Sequence, residues 1–299
     1  MPKITKENQE IQINYFKNKI HYVLIDMSYM IFYRYYALIR WWKFAKPNTI
    51  LTDNPADTPE FINKFIEIFS KIKDTIIKKL DLHKFNKNYK FICVKDCPRL
   101  NIWRNDIFKN YKINRNIDDS FMGGDFFKLI YNNGFLNSIG FDIVLEHDKM
   151  EGDDIIAIIK NIIRKKYPIN EYNETNAIIY IIANDNDYLQ LYDTHTNIIN
   201  LSFKSLNDNT KIYKEANKNL LYKILTGDKS DCIPPIFNRL NKNKFEEYYN
   251  NENKLLEDLQ KLNLYQNYIL NKTIIDFNYI PIELINSFNQ KYKTLILNI

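Results

Sequence analysis

Short apolar runs that alternate with helical patterns constrain this chain more than any other feature. The runs are HYVLID (21–26), YKFICVKD (89–96), IGFDIVLE (139–146) and IIYIIAND (178–185), with a weaker fifth, NIINLS (197–202). Runs of strand length with no polar face need cover on both sides. Helical spacing fills the intervals, from Ser28 to about Lys46, then through Phe61, Phe65, Phe69, Ile72 and Ile76, and again at about 125–138 and 153–166. This alternation predicts an α/β fold with a mostly parallel central sheet flanked by helices. Ligands of such sheets bind beyond the carboxyl ends of the strands.

Acids stand at those ends. Asp26, Asp96 and Asp185 close three of the runs, and Asp187 follows. Two further segments, MEGDD and TGDKSD, bring Glu151, Asp153, Asp154, Asp228 and Asp231. Nine carboxylates crowded at core edges require a counter-charge. With four histidines and three cysteines in the chain, hard divalent cations such as Mg²⁺ or Mn²⁺ suit them best. Nine acids can hold more than one ion, and a pair of ions is suited to phosphodiester cleavage. Each segment also has a plain structural explanation. Acids opening a helix favour its dipole, and aspartates after strands form turns.

The formal net charge is +6, from 42 basic and 36 acidic residues. With the nine acids neutralised, the outer surface is more basic than that sum, which favours an anionic polymer as partner. Cys93, Cys97 and Cys232 are an odd set without a second Cys/His pair, which argues against a disulfide scaffold and a zinc site. His21, His83, His147 and His195 lack ligand spacing. The absence of a leader-like apolar segment or a membrane-length run predicts a soluble intracellular protein, cytoplasmic or nuclear, with no membrane partner. Residues 1–19 read as a polar extension, 20–213 as the α/β core and 214–299 as a helical C-terminal region.

Five segments, LIDMSYMIFYRYYA, VKD with WRNDIFKNYKINR, MEGDDIIA, IIANDNDYLQL and LTGDKSDCIPPI, span roughly residues 20–240. In this order they resemble the motifs of the 5′ nuclease superfamily, the flap endonucleases and 5′–3′ exonucleases with a PIN-like core. The resemblance implies a divalent-metal-dependent 5′–3′ exonuclease or structure-specific flap endonuclease that hydrolyses DNA near 5′ ends with two ions, Mg²⁺ or Mn²⁺. It assigns Asp26, Asp96, Glu151, Asp153 and Asp154 to a first metal cluster, and Asp185, Asp187, Asp228 and Asp231 to a second. Lys112 and Arg115 match basic residues at the scissile phosphate, a role favoured by electrostatics. Arg104 holds a similar basic position one helix earlier, expected to steer a phosphate and not to take part in chemistry, and Arg34 lies in the basic, aromatic helix of the first motif. Phe32 matches an aromatic that stacks on a terminal base. It also belongs to a stripe with Tyr29, Tyr33 and Tyr36, a spacing equally suited to a core. Residues 103–138 would form an arch or gateway, with Gly123 and Gly124 as hinge or tip.

The chain departs from the family pattern in places. Gly152 replaces an alanine and Asn184 a glycine. The run PPIFNRLNKNKFEEYY lacks the glycines of the family's duplex-binding hairpin. About 225–250 therefore reads as a degenerate helix-hairpin-helix, which argues against a K⁺ site. Duplex binding would rest on Arg239, Lys242 and Lys244, with Asn241 and Asn243 as left-handed turn residues. The implied partner is DNA with 5′ ends or flaps, bound by a monomer that carries no sliding-clamp motif. RNA remains open as substrate. A PIN-like RNase and a catalytically weak nucleic-acid scaffold are the competing readings. The fifth motif weighs against the first, and retention of all nine acids against the second.

Overall fold

The structure, a computed structural model, describes residues 18–48, 51–85, 88–116, 121–132, 134–208 and 213–299. Five parallel strands form one sheet in the order β3-β2-β1-β4-β5: β1 (Ile20–Asp26), β2 (Tyr89–Val94), β3 (Val144–Leu145), β4 (Ala177–Ile182) and β5 (Thr196–Ile199). Tyr22, Val23, Leu24 and Ile25 of central β1 are fully buried, as an apolar run without a polar face requires. Asp26 pairs with Val94, and Ile25 with Ile182, so β1, β2 and β4 end at one level. The chain first builds outward from β1 through β2 to β3, then crosses to β4 and β5 on the other side. That reversal opens a crevice beyond β1 and β4.

Helices cover both faces. On one, α1 (Met27–Ala45), α2 (Pro59–Ser70) and the helix Gly124–Tyr131 enclose Trp42, Phe61, Phe65, Phe69 and Phe126. Between β2 and the helix Gly124–Tyr131 the chain forms a short helix, α3 (Arg104–Ile107). On the other face, α4 (Gly152–Lys166) packs Ile155, Ile156, Ile159 and Ile163 against the strands. Beyond residue 213 the helices divide. Those from α5 (Ala216–Thr226) to Tyr265–Ile275 build a further core around Phe245, Leu259 and Ile274, and it takes in Ile102 and Tyr111. The segment Ile282–Asn298 returns to the sheet, where Phe288 and Ile299 join the α4 core. Among the described residues no helix is long and apolar enough to cross a membrane.

Several local expectations change. The third strand, expected over 139–146, shrinks to Val144–Leu145 because Phe135–Ser138 is helical and Gly140 turns the chain at φ 85°. The fifth ends at Ile199, where Phe203 at φ 59° folds the chain back to a bridge at Ser205. The segment expected to arch over the site is anchored at both ends. Trp103 and Arg104 are buried at one, and Phe126 and Ile130 at the other. Only about 113–123 is left to bridge, and 117–120 lie outside the described residues. Gly123 is no free hinge, since the Phe121 ring rests where a side chain would stand. Asn241 is extended at φ −80° and caps the helix Lys242–Asn250 by accepting from Lys244 N at 2.9 Å. Asn243 lies within that helix, so neither asparagine is left-handed.

Gly227 ends α5 at φ 68°, and an added methyl would lie 2.4 Å from the Ile233 carbonyl oxygen. That close approach shapes the loop in which Asp228 and Ile233 exchange backbone hydrogen bonds of 2.9 and 2.8 Å. Gly227→Ala is expected to destabilise the protein by about 1–3 kcal/mol. Urea denaturation checks this: the midpoint should fall at an unchanged slope.

Candidate active site

A cleft of 690 Å³ opens beyond the strand ends, lined by Asp26, Asp96, Glu151, Asp153 and Asp185, with Lys112, Arg99, Phe32 and Tyr188 on its walls. The fold delivers each acid. Asp26 ends β1, Asp96 follows β2, Asp185 follows β4, and Glu151 and Asp153 open α4. Asp26 is held from two sides: Tyr29 N donates to Oδ1 and Tyr188 Oη to Oδ2, both at 2.9 Å. Gly152 N donates to Asp96 Oδ1 at 2.6 Å. An alanine methyl at 152 would come within 3.1 Å of that oxygen and of Val94 Cγ2, so glycine eases the approach.

Among the described residues, no lysine or arginine forms an ion pair with Asp26, Asp96, Asp153 or Asp185. Asp26 and Asp153 are half-buried; Asp96 and Asp185 open onto the cleft while protein surrounds the rest of the site. Loss of bulk water, then the charge of Asp96, raises Asp26 from the ordinary 3.8 to about 7. Desolvation, then Glu151, raises Asp96. The same two causes, with Asp154 added, push Asp153 well up. Because Asp96 meets the cleft's water directly, Asp26 and Asp153 carry most of this effect. Oxygen donors crowded without a direct ion pair fit a hard divalent cation.

Two other acids are already matched. Arg104 is buried and donates to Asp154 through Nη1 at 2.9 Å and Nη2 at 2.7 Å, to Glu151 Oε2 at 3.1 Å and to the Ile274 carbonyl at 2.8 Å. Trp103 Nε1 adds a bond to Asp154 at 2.9 Å. This corrects two expectations. Asp154 is fully buried and engaged by Arg104, so it does not face the cleft. Arg104 has no free side for a phosphate; it is the counter-charge that fixes the start of α4. Glu151 accepts from Tyr111 Oη at 2.8 Å and from Lys112 Nζ. Burial alone would raise Glu151, but Lys112 and Arg104 outweigh it and hold the carboxyl below its usual range.

Lys112 faces the cleft as expected but on a short tether. Its backbone is left-handed at φ 53°, its N–H donates to the Asp231 carbonyl at 3.0 Å, and Nζ reaches Asp231 Oδ2 at 3.7 Å. Arg115 lies in the turn Ile113–Asn116, and its side chain is outside the described residues. Phe32 is 43% exposed on the cleft wall and stacks on Phe121 with centroids 4.5 Å apart. Arg34 is half-buried, 5.7 Å from the Tyr33 ring centre, and does not line the cleft. Arg239 and Lys242 are exposed. Lys244 already pairs with Glu247 and Asp258, each at 3.0 Å, so it is not the free duplex contact expected of it.

A second cleft of 510 Å³ shares Asp185 with the first and brings in Asp187 and Asp228. Ligand atoms of Asp187, Asp228 and Asp231 lie within 4.8 Å of one another. Lys223 of α5 pairs with Asp187 and, at 2.7 Å, with Asp228. Burial would raise Asp228, yet Lys223 and Ser230 bring it down to about 2. Tyr188, Tyr111 and Lys223 carry no mark in the motifs. Only helical spacing, with Lys223 one turn before the TGD segment, hints at a role for the last.

Residues 21–223 match the 5′-3′ exonuclease, N-terminal resolvase-like domain family, and the chain belongs to it. Among solved structures it is similar to a bacteriophage T5 flap endonuclease in a pseudo-enzyme–product complex with DNA and metal ions. The TM-score is 0.60 at 14% identity, over 92% of this chain and 99% of that one. T5 5′-exonuclease with bound zinc gives the same TM-score, identity and coverage. A T5 protein co-crystallised with metal ions gives a TM-score of 0.57 at 14% identity, over 93% of this chain and 98% of that one. These likenesses are of fold. No curated protein matches the sequence.

Arg104→Ala should destabilise the fold by about 3–5 kcal/mol, because Asp154 would be left charged and buried without a partner. Urea denaturation reads the loss, and Arg104→Met combined with Asp154→Leu should recover much of it. A second expectation concerns pH. The folded, metal-free protein keeps protons on Asp26, Asp96 and Asp153 that the unfolded chain releases near pH 4. Their contribution to stability is therefore lost as pH rises from about 4 through about 7. Asp228 and Glu151 work in the opposite sense, but only on acidification below that window. Melting of the metal-free protein should be higher at about pH 5 than at about pH 7.5, and Mg²⁺ should raise the latter more. A melting temperature that climbs over this range would contradict the crowding of these acids.

Proposed function

We propose that this chain is a divalent-metal-dependent 5′ nuclease that hydrolyses DNA phosphodiesters near 5′ ends, with exonucleolytic trimming favoured over flap cutting. The observation that carries this reading is the convergence of Asp26, Asp96, Asp153 and Asp185 on one cleft, where among the described residues none of the four forms an ion pair. Mg²⁺ or Mn²⁺ bound there would lower the pKa of water and offset charge on the phosphate. The chain's own groups prepare the place. Tyr188 and the Tyr29 amide fix Asp26, and the Gly152 amide fixes Asp96. Lys112, held by Glu151, sets a positive charge on the cleft wall, where it can stabilise an incoming phosphate. Arg99 adds a second cation on that wall. Phe32 offers a partly exposed ring to a terminal base, a contact that tolerates any sequence. The short bridging segment, about 113–123, supports trimming of ends over threading of a long flap. The T5 relative bound to DNA and metal ions supports the choice of substrate.

End-labelled 5′-flap, nicked, blunt and single-stranded DNA, with RNA counterparts, test this in the presence of Mg²⁺. Cleavage near DNA 5′ ends is expected, and Asp153→Asn or Asp185→Asn should each slow it by at least about 10²-fold. Cleavage untouched by both substitutions, or metal-dependent binding without cutting, would refute the assignment. Cutting of RNA alone would move the protein to the PIN-like RNases.

A further inference from the structure

We propose that Lys223 is a tethered cation seated in the second carboxylate cluster, and that its ammonium must leave before a metal ion can be held there. The proposal rests on the metal-binding part of the function above and deepens it.

The two clusters differ in charge balance. Asp26, Asp96, Asp153 and Asp185 form no ion pair among the described residues, whereas each acid of the compact triad Asp187, Asp228 and Asp231 has a lysine beside it. Lys223 Nζ bridges Asp187 and Asp228, 2.7 Å from Asp228 Oδ2, with its side chain 15% exposed. Lys112 reaches Asp231 at 3.7 Å. Gly227 N donates to the Lys223 carbonyl at 2.8 Å and closes α5, so the lysine and the Asp228 loop that it reaches share one helix end.

An ion ligated by Asp187 and Asp228 would need oxygens at about 2.0–2.6 Å. Those oxygens now face an ammonium, which lies 2.7 Å from Asp228 Oδ2. A divalent ion and an ammonium on the same two carboxylates repel strongly at such separations. A flexible four-carbon stem and the adjoining 510 Å³ cleft let Lys223 swing aside. The second cluster should therefore take up its ion more weakly than the first, and Lys223 should set the difference.

The test is Mn²⁺ binding to the full chain without nucleic acid, with free Mn²⁺ read by electron paramagnetic resonance. Wild type should bind one ion tightly and a second weakly. Lys223→Met should tighten the second by about tenfold or more and leave the first unchanged, whereas Lys223→Arg should behave as wild type. A second-ion affinity that is equal or weaker in Lys223→Met, or no second ion in either protein, overturns the proposal. Wild type supplies an independent check should Lys223→Met fail to fold. After ¹³C reductive methylation, the Lys223 signal (assigned by its loss in Lys223→Arg) should shift as Mg²⁺ saturates the second site; an unmoved signal overturns the proposal. Because no substrate is present, these outcomes are separate from cleavage. Ion competition without cutting would sink the nuclease reading alone, and cutting without competition would sink this one alone.

Discussion

The buried guanidinium of Arg104 joins three parts of the molecule that are distant in sequence. It clamps Asp154 with two hydrogen bonds, touches Glu151 and donates to the Ile274 carbonyl. The start of α4, the segment after β2 and the C-terminal helical core meet at this one group. Desolvating such a pair is costly, and an apolar core of equal volume can match its stability. Its value here is positional. With Asp154 fixed, its Oδ2 accepts from the Glu151 amide at 3.1 Å and closes the cap of α4. That cap aims Asp153 into the cleft and leaves Glu151 to hold Lys112.

Charge is then distributed unevenly among acids that look alike. Asp154 and Glu151 are matched within the fold, Asp187 and Asp228 by a lysine on a flexible stem, and Asp26, Asp96 and Asp153 form no ion pair among the described residues, the more distant pull of Lys112 on the last two being outweighed. The last group strains against its own ionisation. A protein that keeps such repulsion at the mouth of its sheet has a standing requirement for polyvalent positive charge.

Much of this was legible beforehand. Apolar runs marked the strands, and the aspartates that close three of them placed the cleft, because both follow from periodicity and the rule for parallel sheets. What stayed hidden depends on contacts across the fold. Nothing in GDD distinguishes the acid that faces the cleft from the one that faces Arg104; one step along the helix decides it. Arg104 and Lys244 read as surface cations because their partners, Asp154 and Asp258, are remote or lie on a neighbouring helix. The Asn-rich hairpin reading failed because Asn241 is also a strong helix cap, and capping won. The short third strand misled because Gly140 turns the chain inside the run, so Phe141 is buried in the core without joining the sheet.

The register of β1 has a bearing on how this molecule comes into being. Val23 lies between Phe91 and Tyr180, so the first strand made has a neighbour on each side that is made much later. As the chain is made, this buried strand gains its second neighbour only once β4 has emerged. Sheets assembled from such remote pairings form slowly and leave sticky intermediates on the way. The topology thus leaves the central strand exposed longest during synthesis.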